Sequence, residues 1–217
     1  MLLDIASHRQ GGKPAGRIRQ KNEHIIIAAA EVEFALHGFK GATTNNIAER
    51  AGLPKSNIHY YFKNKLQLYA EVLSNIIDLW DTALNELDPE LEPATALRAY
   101  ISKKMQFSHE FPFASRVFAK EILSGAPRLE SFFNEDYQHW FQRKTEVFRQ
   151  WAQQGKIDPI EPAHIIFLIW SATQHYADFH VQIAAAMGKP ELNQKDFRQA
   201  TESLCQIIVR GIGTREG

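Results

Sequence analysis

The sequence predicts an all-α protein of about nine helices, a three-helix helix-turn-helix domain followed by a helical bundle. Three observations lead there. Apolar residues recur at i, i+3, i+4 and i+7 along most of the chain, the spacing of one helix face. Period-two alternation, the mark of a half-buried strand, is confined to short ambiguous runs. Residues 43–66, TTNNIAERAGLPKSNIHYYFKNKL, read as a short helix, a glycine-centred turn and a second short helix. The expected layout is a disordered basic arm over 1–17, a helix-turn-helix domain over 18–65 and a helical domain over 66–217.

Residues 1–17 contain Gly11, Gly12, Pro14 and Gly16 and little to bury, which argues against packed structure there. Arg9, Lys13, Arg17, Arg19 and Lys21 make this end basic, with no acid between them. Such a tail either stays solvated or follows a phosphate backbone or minor groove. A first helix is expected from about 17 to 37. Ile25, Ala29, Val32, Phe34 and Leu36 form its apolar side and Gly38 ends it. Thr44 is expected to cap the next helix through its hydroxyl. Ile47, Ala48 and Ala51 form that helix's apolar face, and Gly52 suits a left-handed C-cap. Leu53 buries the turn. Pro54 and Lys55 open the second short helix, where proline is tolerated.

From Lys65 a long amphipathic helix carries Leu66, Tyr69, Val72, Leu73, Ile76, Leu79 and Trp80. The prolines and acids of NELDPELEP break it. Further helices are expected over about 94–108, from 112 to 125, and over 129–154. One very apolar helix should run from Pro162 to Gly188, and a last one from Asp196 to Gly211.

The 217 residues are enough for one or two domains with their own cores. Hydrophobic content of 44% and charged content of 23% suit an ordinary globular chain. The one cysteine, Cys205, excludes an internal disulfide and a multi-cysteine zinc site. It sits in the apolar run SLCQIIV, where it reads as a small core residue. No secretory leader or run of about 18 apolar residues is present, so a cytoplasmic location without membrane association is expected. The net charge is zero, but the two ends differ. Residues 1–67 carry 10 Lys/Arg and 5 Asp/Glu, and residues 68–217 carry 15 and 20. A basic end beside an acidic remainder suggests that one end meets phosphate.

In a helix-turn-helix the second helix enters the major groove of double-stranded DNA, and its N-terminal residues meet base edges. Lys55, Ser56 and Asn57 occupy that place. Lysine suits guanine and asparagine suits adenine. Thr43 and Thr44 can donate hydroxyls to phosphate. Tyr60, Tyr61 and Phe62 divide between DNA and core. Phe62 and one tyrosine are expected to pack inward.

The run AG-L-x-K-x-x-I-x-Y-Y-F-x-x-K-x-x-L, with GFKGATT before it, resembles the TetR family of transcriptional regulators. That resemblance implies a DNA-binding homodimer on a palindromic operator, with a small-molecule effector in the body. It also implies that His59 and Tyr61 lie nearest the DNA, with Lys65 on a phosphate. Many family members have glycine where this chain has Asn57, which adds a polar side chain at the base-reading end.

The last two long helices are apolar on more than one side. Ile165, Ile166, Leu168, Ile169, Ala172, Ile183 and Ala184 lie on one, with Phe197, Leu204, Ile207, Ile208 and Val209 on the other. A helix apolar on several faces is covered on several faces. The family resemblance reads these as the dimer helices. Polar groups interrupt them in Trp170–Phe179, WSATQHYADF. Buried polar groups cost free energy unless they find partners, so they pair with each other, cross the dimer interface or bind a ligand.

The segments 78–80, 108–127 and 166–179 resemble the pyrimidine-utilisation branch of that family. This implies a uracil- or thymine-like effector. A flat ring wants aromatic walls, which Trp80, Trp170, Tyr176 and Phe179 can supply. Gln174 can offer an amide edge, and Arg116 or His175 can meet a carbonyl oxygen. The alternatives are a TetR-type regulator of an unrelated effector, or a helical-bundle enzyme. For the latter, Glu161–His164 and Asp136–His139 superficially fit a di-iron pattern. However, Pro162 places the first in an opening turn, and the second has Asp where Glu is expected. No Walker loop, nucleophile elbow or dinucleotide fingerprint occurs, and no cofactor or metal is expected.

Overall fold

A computed structural model describes residues 14–214, with side chains from residue 18 onward. The described residues form ten helices and no strand. They divide into two compact units. The first holds the described residues up to Asp78 together with Arg116–Phe132. The second holds Leu79–Ser115 and the described residues from Phe133. Among the described residues, no helix is long and apolar enough to cross a membrane.

In the first unit, α1 (Pro14–Gly41) carries a break at Gly38, whose φ of 68° and ψ of 175° leave the helical region. Most of the expected arm lies outside the described residues, but residues 14–17 already open α1. Helices α2 (Thr44–Ala51) and α3 (Lys55–Tyr61) follow. Thr43, not Thr44, is the N-cap of α2, because its backbone is extended and its hydroxyl accepts from the Asn46 amide at 3.1 Å. Gly52 is left-handed, with φ 64° and ψ 29°, and its N–H reaches the carbonyls of Ala48 and Glu49. Ile26, Ala30, Phe34, Ile47, Ile58 and Phe62 close the small core.

Helix α4 (Lys65–Leu84) contributes Leu68, Tyr69, Val72 and Leu73 to the same core. The Phe34 and Tyr69 rings meet edge to face at 4.7 Å, a geometry favoured by aromatic quadrupoles. Buried Glu33 ties α2 to α1, accepting from Asn46 Nδ2 at 3.0 Å and pairing with Arg50 at 3.5 Å. Residues 116–123 of α6 (Pro112–Leu123) belong to this unit too. There, Glu121 is buried, accepts from the Tyr69 hydroxyl at 3.0 Å and pairs with Arg128 at 3.0 Å. Lys120 donates to the Ala35 carbonyl at 2.7 Å.

The second unit is built on α5 (Pro93–Glu110), which packs against α8 (Pro162–Asp178) and α10 (Gln194–Gly211). Its core includes Leu97, Tyr100, Ile101, Phe148, Trp151, Ile166 and Ile169. Helix α7 (Glu135–Gln153) starts later than the sequence predicts. Residues 126–133 run through turns after Gly125 and Pro127, and Asn134 caps α7 by accepting from the Tyr137 amide. The single helix expected over 162–188 is two helices. Phe179, at φ −114° and ψ 23°, separates α8 from α9 (His180–Ala186). That break accounts for ten helices instead of about nine. Asn193 and Asp196 open α10 with a reciprocal capping box.

Candidate nucleic-acid interface and effector site

The Gly52 turn sets α3 across α2, and Ile58 and Phe62 anchor its inner face. That leaves Lys55, Ser56, His59 and Tyr60 exposed. Residues at i and i+4 share a helix face, so these four form one outward stripe. Tyr60 is 71% exposed and meets Tyr61 edge to face at 5.1 Å. The Arg19 guanidinium lies 5.9 Å from the Tyr60 ring, which brings a cation from α1 to the same stripe.

Tyr61 is half-buried, and its hydroxyl accepts from Asn22 Nδ2 at 3.3 Å. Of the two tyrosines, Tyr61 is the one that packs and Tyr60 the one that reaches out. Asn57 is half-buried on the flank of the stripe, while Thr43 is exposed and Thr44 half-buried at the start of α2. The Lys65 ammonium donates to the Ala42 carbonyl at 2.9 Å and lies 4.7 Å from the Phe39 ring. It therefore helps to hold the loop before α2. An ammonium has three hydrogens, so this bond leaves donors for a phosphate.

In the second unit, the face of α5 that meets α8 carries an unusual polar layer. Trp170 Nε1 donates to the Tyr100 hydroxyl at 2.6 Å. One turn on, the Lys104 ammonium lies 4.6 Å from the Trp80 ring. One further turn on, the Ser108 hydroxyl donates to the Thr173 carbonyl at 2.9 Å. Ser115 Oγ donates to Asp178 Oδ1 at 2.8 Å. Tyr100, Lys104, Ser108 and Thr173 are all buried. Burial holds the Lys104 ammonium down to a pKa of about 8, partly opposed by the negative charge of Asp178.

The layer gathers Trp80 and Trp170 from the predicted effector residues. Gln174 and Tyr176 are half-buried on α8, with Tyr176 against Phe197 at 6.0 Å between ring centroids. His175 and Phe179 stack on each other at 4.6 Å and are exposed, away from that layer. Arg116 falls in the other unit. Sequence reasoning missed Tyr100 and Lys104. The available signal was a lysine on the apolar stripe of α5, in step with Leu97, Tyr100, Ile101 and Met105.

Among the described residues, no group of three or more His, Cys, Asp or Glu is placed to hold a metal ion.

Comparison with known proteins matches both units' sequences. Residues 26–72 match the model for bacterial regulatory proteins of the tetR family, and residues 73–215 match the YcdC-like C-terminal region. This chain belongs to the TetR family of transcriptional regulators. It is 38% identical over 204 residues to the HTH-type transcriptional regulator RutR of Escherichia coli K12, spanning 94% of this chain and 96% of that one. The Streptomyces coelicolor protein SCO4942 superposes with a TM-score of 0.70 at 25% identity, covering 89% of this chain and 99% of that chain. The ketosteroid transcriptional regulator KstR2 of Mycobacterium tuberculosis shares the fold at 19% identity, with a TM-score of 0.67 over 96% of this chain and 100% of that one. The TetR-type helix-turn-helix thus assigns a role to α2 and α3, and the YcdC-like region covers the layer on α5 and α8.

Proposed function

We propose that this TetR-type regulator acts in the cytoplasm, binds a palindromic operator as a homodimer, and is tuned by a small planar effector of the pyrimidine class. The observation that carries the DNA reading is the outward stripe of α3, with Lys55, Ser56, His59 and Tyr60 free of the core. Lys55 and Ser56 stand at the helix N-terminus, where base edges are met, with Asn57 beside them. Thr43, Thr44, Tyr61 and Lys65 frame the stripe and are candidates for phosphate contacts.

What supports a homodimer is apolar surface on the last helices. Leu168, Phe179, Val181 and Ile207 are exposed, the last at 65%. Large apolar side chains left exposed on α8 and α10 and around α9 are surface that a second copy could cover. Two copies joined there would place two reading helices on two half-sites. The exposed His175–Phe179 stack suits this surface better than a ligand wall.

What supports the effector is the chemistry of the second unit. Trp80 and Trp170 can sandwich a flat ring, and Gln174 and Tyr176 lie on the same helix as Trp170. The likeness of residues 78–80, 108–127 and 166–179 to pyrimidine-utilisation regulators names the class. The effector acts by binding the DNA-competent and DNA-incompetent forms unequally, since a ligand shifts an equilibrium only through differential affinity.

The test is a mobility-shift titration with duplex DNA from upstream of the gene, with and without 1 mM uracil or thymine. Binding at low salt that weakens as salt rises, and changes with a pyrimidine, supports the proposal. Identical shifts with and without every pyrimidine tried would remove the effector. No shift at low salt would remove the operator reading.

A further inference from the structure

The turns after α6 deliver an arginine onto the connection between α1 and α2. Ala126, in those turns, has a positive φ of 52°, a conformation that glycine takes without cost and alanine does not. Such strain persists where the surrounding contacts over-determine it. Here they converge on Glu121 and Arg128. The Glu121 carbonyl accepts from the Ala126 N–H at 2.9 Å. The Glu121 carboxylate accepts from the Arg128 N–H at 2.8 Å and from its Nη1 at 3.0 Å. The Glu121 side chain is 1% exposed. Arg128 is thus fixed at both backbone and side chain by one buried carboxylate.

The guanidinium then lies 3.9 Å from the centroid of the Phe39 ring. Phe39 follows the Gly38 break, in the stretch that leads to the Thr43 cap. The Lys65 ammonium stands over the same ring at 4.7 Å and donates to the Ala42 carbonyl. Every one of these residues belongs to the first unit. Two cations at one ring repel each other, and Glu121 offsets that by facing Arg128 with the opposite charge. For stability alone, an apolar side chain on Phe39 would serve without an ion pair on a buried carboxylate.

We infer that Arg128 is a positioning residue for DNA binding: by fixing the Phe39 ring it sets the Lys65 ammonium, and the Ala42–Thr43 turn that Lys65 holds, where the DNA phosphates meet them. The inference rests on the reading of Lys65 as a phosphate contact. Arg128 acts on affinity through Lys65 and not by its own contact with DNA. Its effect is the same on every sequence, because phosphate contacts carry no base information.

Anisotropy titrations of labelled duplex DNA from upstream of the gene, from 50 to 200 mM salt, test this with the full-length protein. The variants are Lys65→Ala, Arg128→Met, Arg128→Lys, Phe39→Leu, and Lys65→Ala combined with Arg128→Met or with Phe39→Leu. Melting of each variant separates lost binding from lost fold. Loss of the charge-assisted phosphate contact in Lys65→Ala predicts a roughly 10- to 100-fold weaker affinity and a salt slope flatter by about 0.9. Arg128→Met should reproduce part of both effects, with affinity roughly 3- to 30-fold weaker. Arg128→Lys should recover part of the loss, because it returns a cation to Glu121 and Phe39. Phe39→Leu keeps the site filled, removes the ring from both cations and should weaken binding as Arg128→Met does. Each double variant should bind within about 2-fold of Lys65→Ala alone, since residues acting through one contact are not additive. Losses that multiply in the double variants overturn the inference, as does wild-type affinity in a folded Arg128→Met or Phe39→Leu variant; both leave the Lys65 reading intact. Unchanged affinity and slope in Lys65→Ala overturn both.

Discussion

Replacing Lys104 by methionine should make the protein more stable at neutral pH. The magnitude follows from the environment of the ammonium. Burial lowers its pKa from the ordinary 10.5 to about 8. The unfolded chain therefore holds this proton up to pH 10.5, and the folded chain only up to about 8. Below pH 8 the full difference acts against folding. A shift of one unit corresponds to 1.36 kcal/mol, so the penalty at pH 7 is about 3 kcal/mol. The stacked ammonium returns about 1–2 kcal/mol through Trp80. A methionine sulfur over the same ring returns about 0.3–1.5 kcal/mol, so the exchange roughly preserves that contact. Lys104→Met should then gain about 2–3 kcal/mol at pH 7.

The gain must shrink as pH rises. Between pH 8 and 10.5 the unfolded state binds more protons than the folded state, so wild-type stability climbs relative to the variant. By pH 10 the difference should fall below about 1 kcal/mol. Urea unfolding followed by circular dichroism, at one protein concentration and at both pH values, measures it. A variant less stable than wild type at pH 7, or a gain of the same size at pH 7 and pH 10, refutes the reasoning.

Other perturbations follow from the first unit. Glu121→Ala removes the acceptor of both Tyr69 and Arg128 and should cost about 3–5 kcal/mol in urea unfolding, because it strands buried partners. A loss under 1 kcal/mol would show the trio to be solvated. Gly52→Ala forces a side chain into a left-handed turn at φ 64°, where nothing lies within 4 Å of the new Cβ, so strain alone should cost about 1–2 kcal/mol. In DNA titrations, Lys65→Ala should weaken binding similarly on all sequences, while Asn57→Ala should change base preference. Equal loss on every sequence for Asn57→Ala would contradict a base-reading role.

Local chemistry made the helix-turn-helix legible. Gly52, Pro54 and the apolar positions Ile47, Ala48 and Ile58 each permit one arrangement, and they agree. The boundaries that went astray lack such punctuation. Phe179 breaks α8 from α9 with neither glycine nor proline, so periodicity carried one helix across it. The start of α7 was marked by Asn134 with two acids behind it, but the aromatic run before it masked the cap. Thr43 and Thr44 are chemically equivalent, and only the backbone turn decides which one caps.

The residues proposed for an effector site were harder to read because a helix has several faces. Composition singled out residues 170–179 as a group, and only packing separates Trp170, turned to Tyr100, from the exposed His175–Phe179 stack. Lys104 was hidden by its type. Lysines are assumed to be on the surface, and only its phase on the α5 stripe reveals it as buried. Lys65 illustrates the opposite case. It is an expected DNA contact whose ammonium also has a structural partner in the Ala42 carbonyl.

The most direct test of the account is fluorescence anisotropy of labelled duplex DNA from the gene's own upstream region, titrated with the full-length protein from 50 to 200 mM salt, with and without uracil. The account predicts a palindromic site bound by two copies, an affinity that falls steeply and linearly on logarithmic axes as salt rises, and a shift of that line when uracil is present. Binding that does not respond to salt, or no binding at 50 mM, would contradict it.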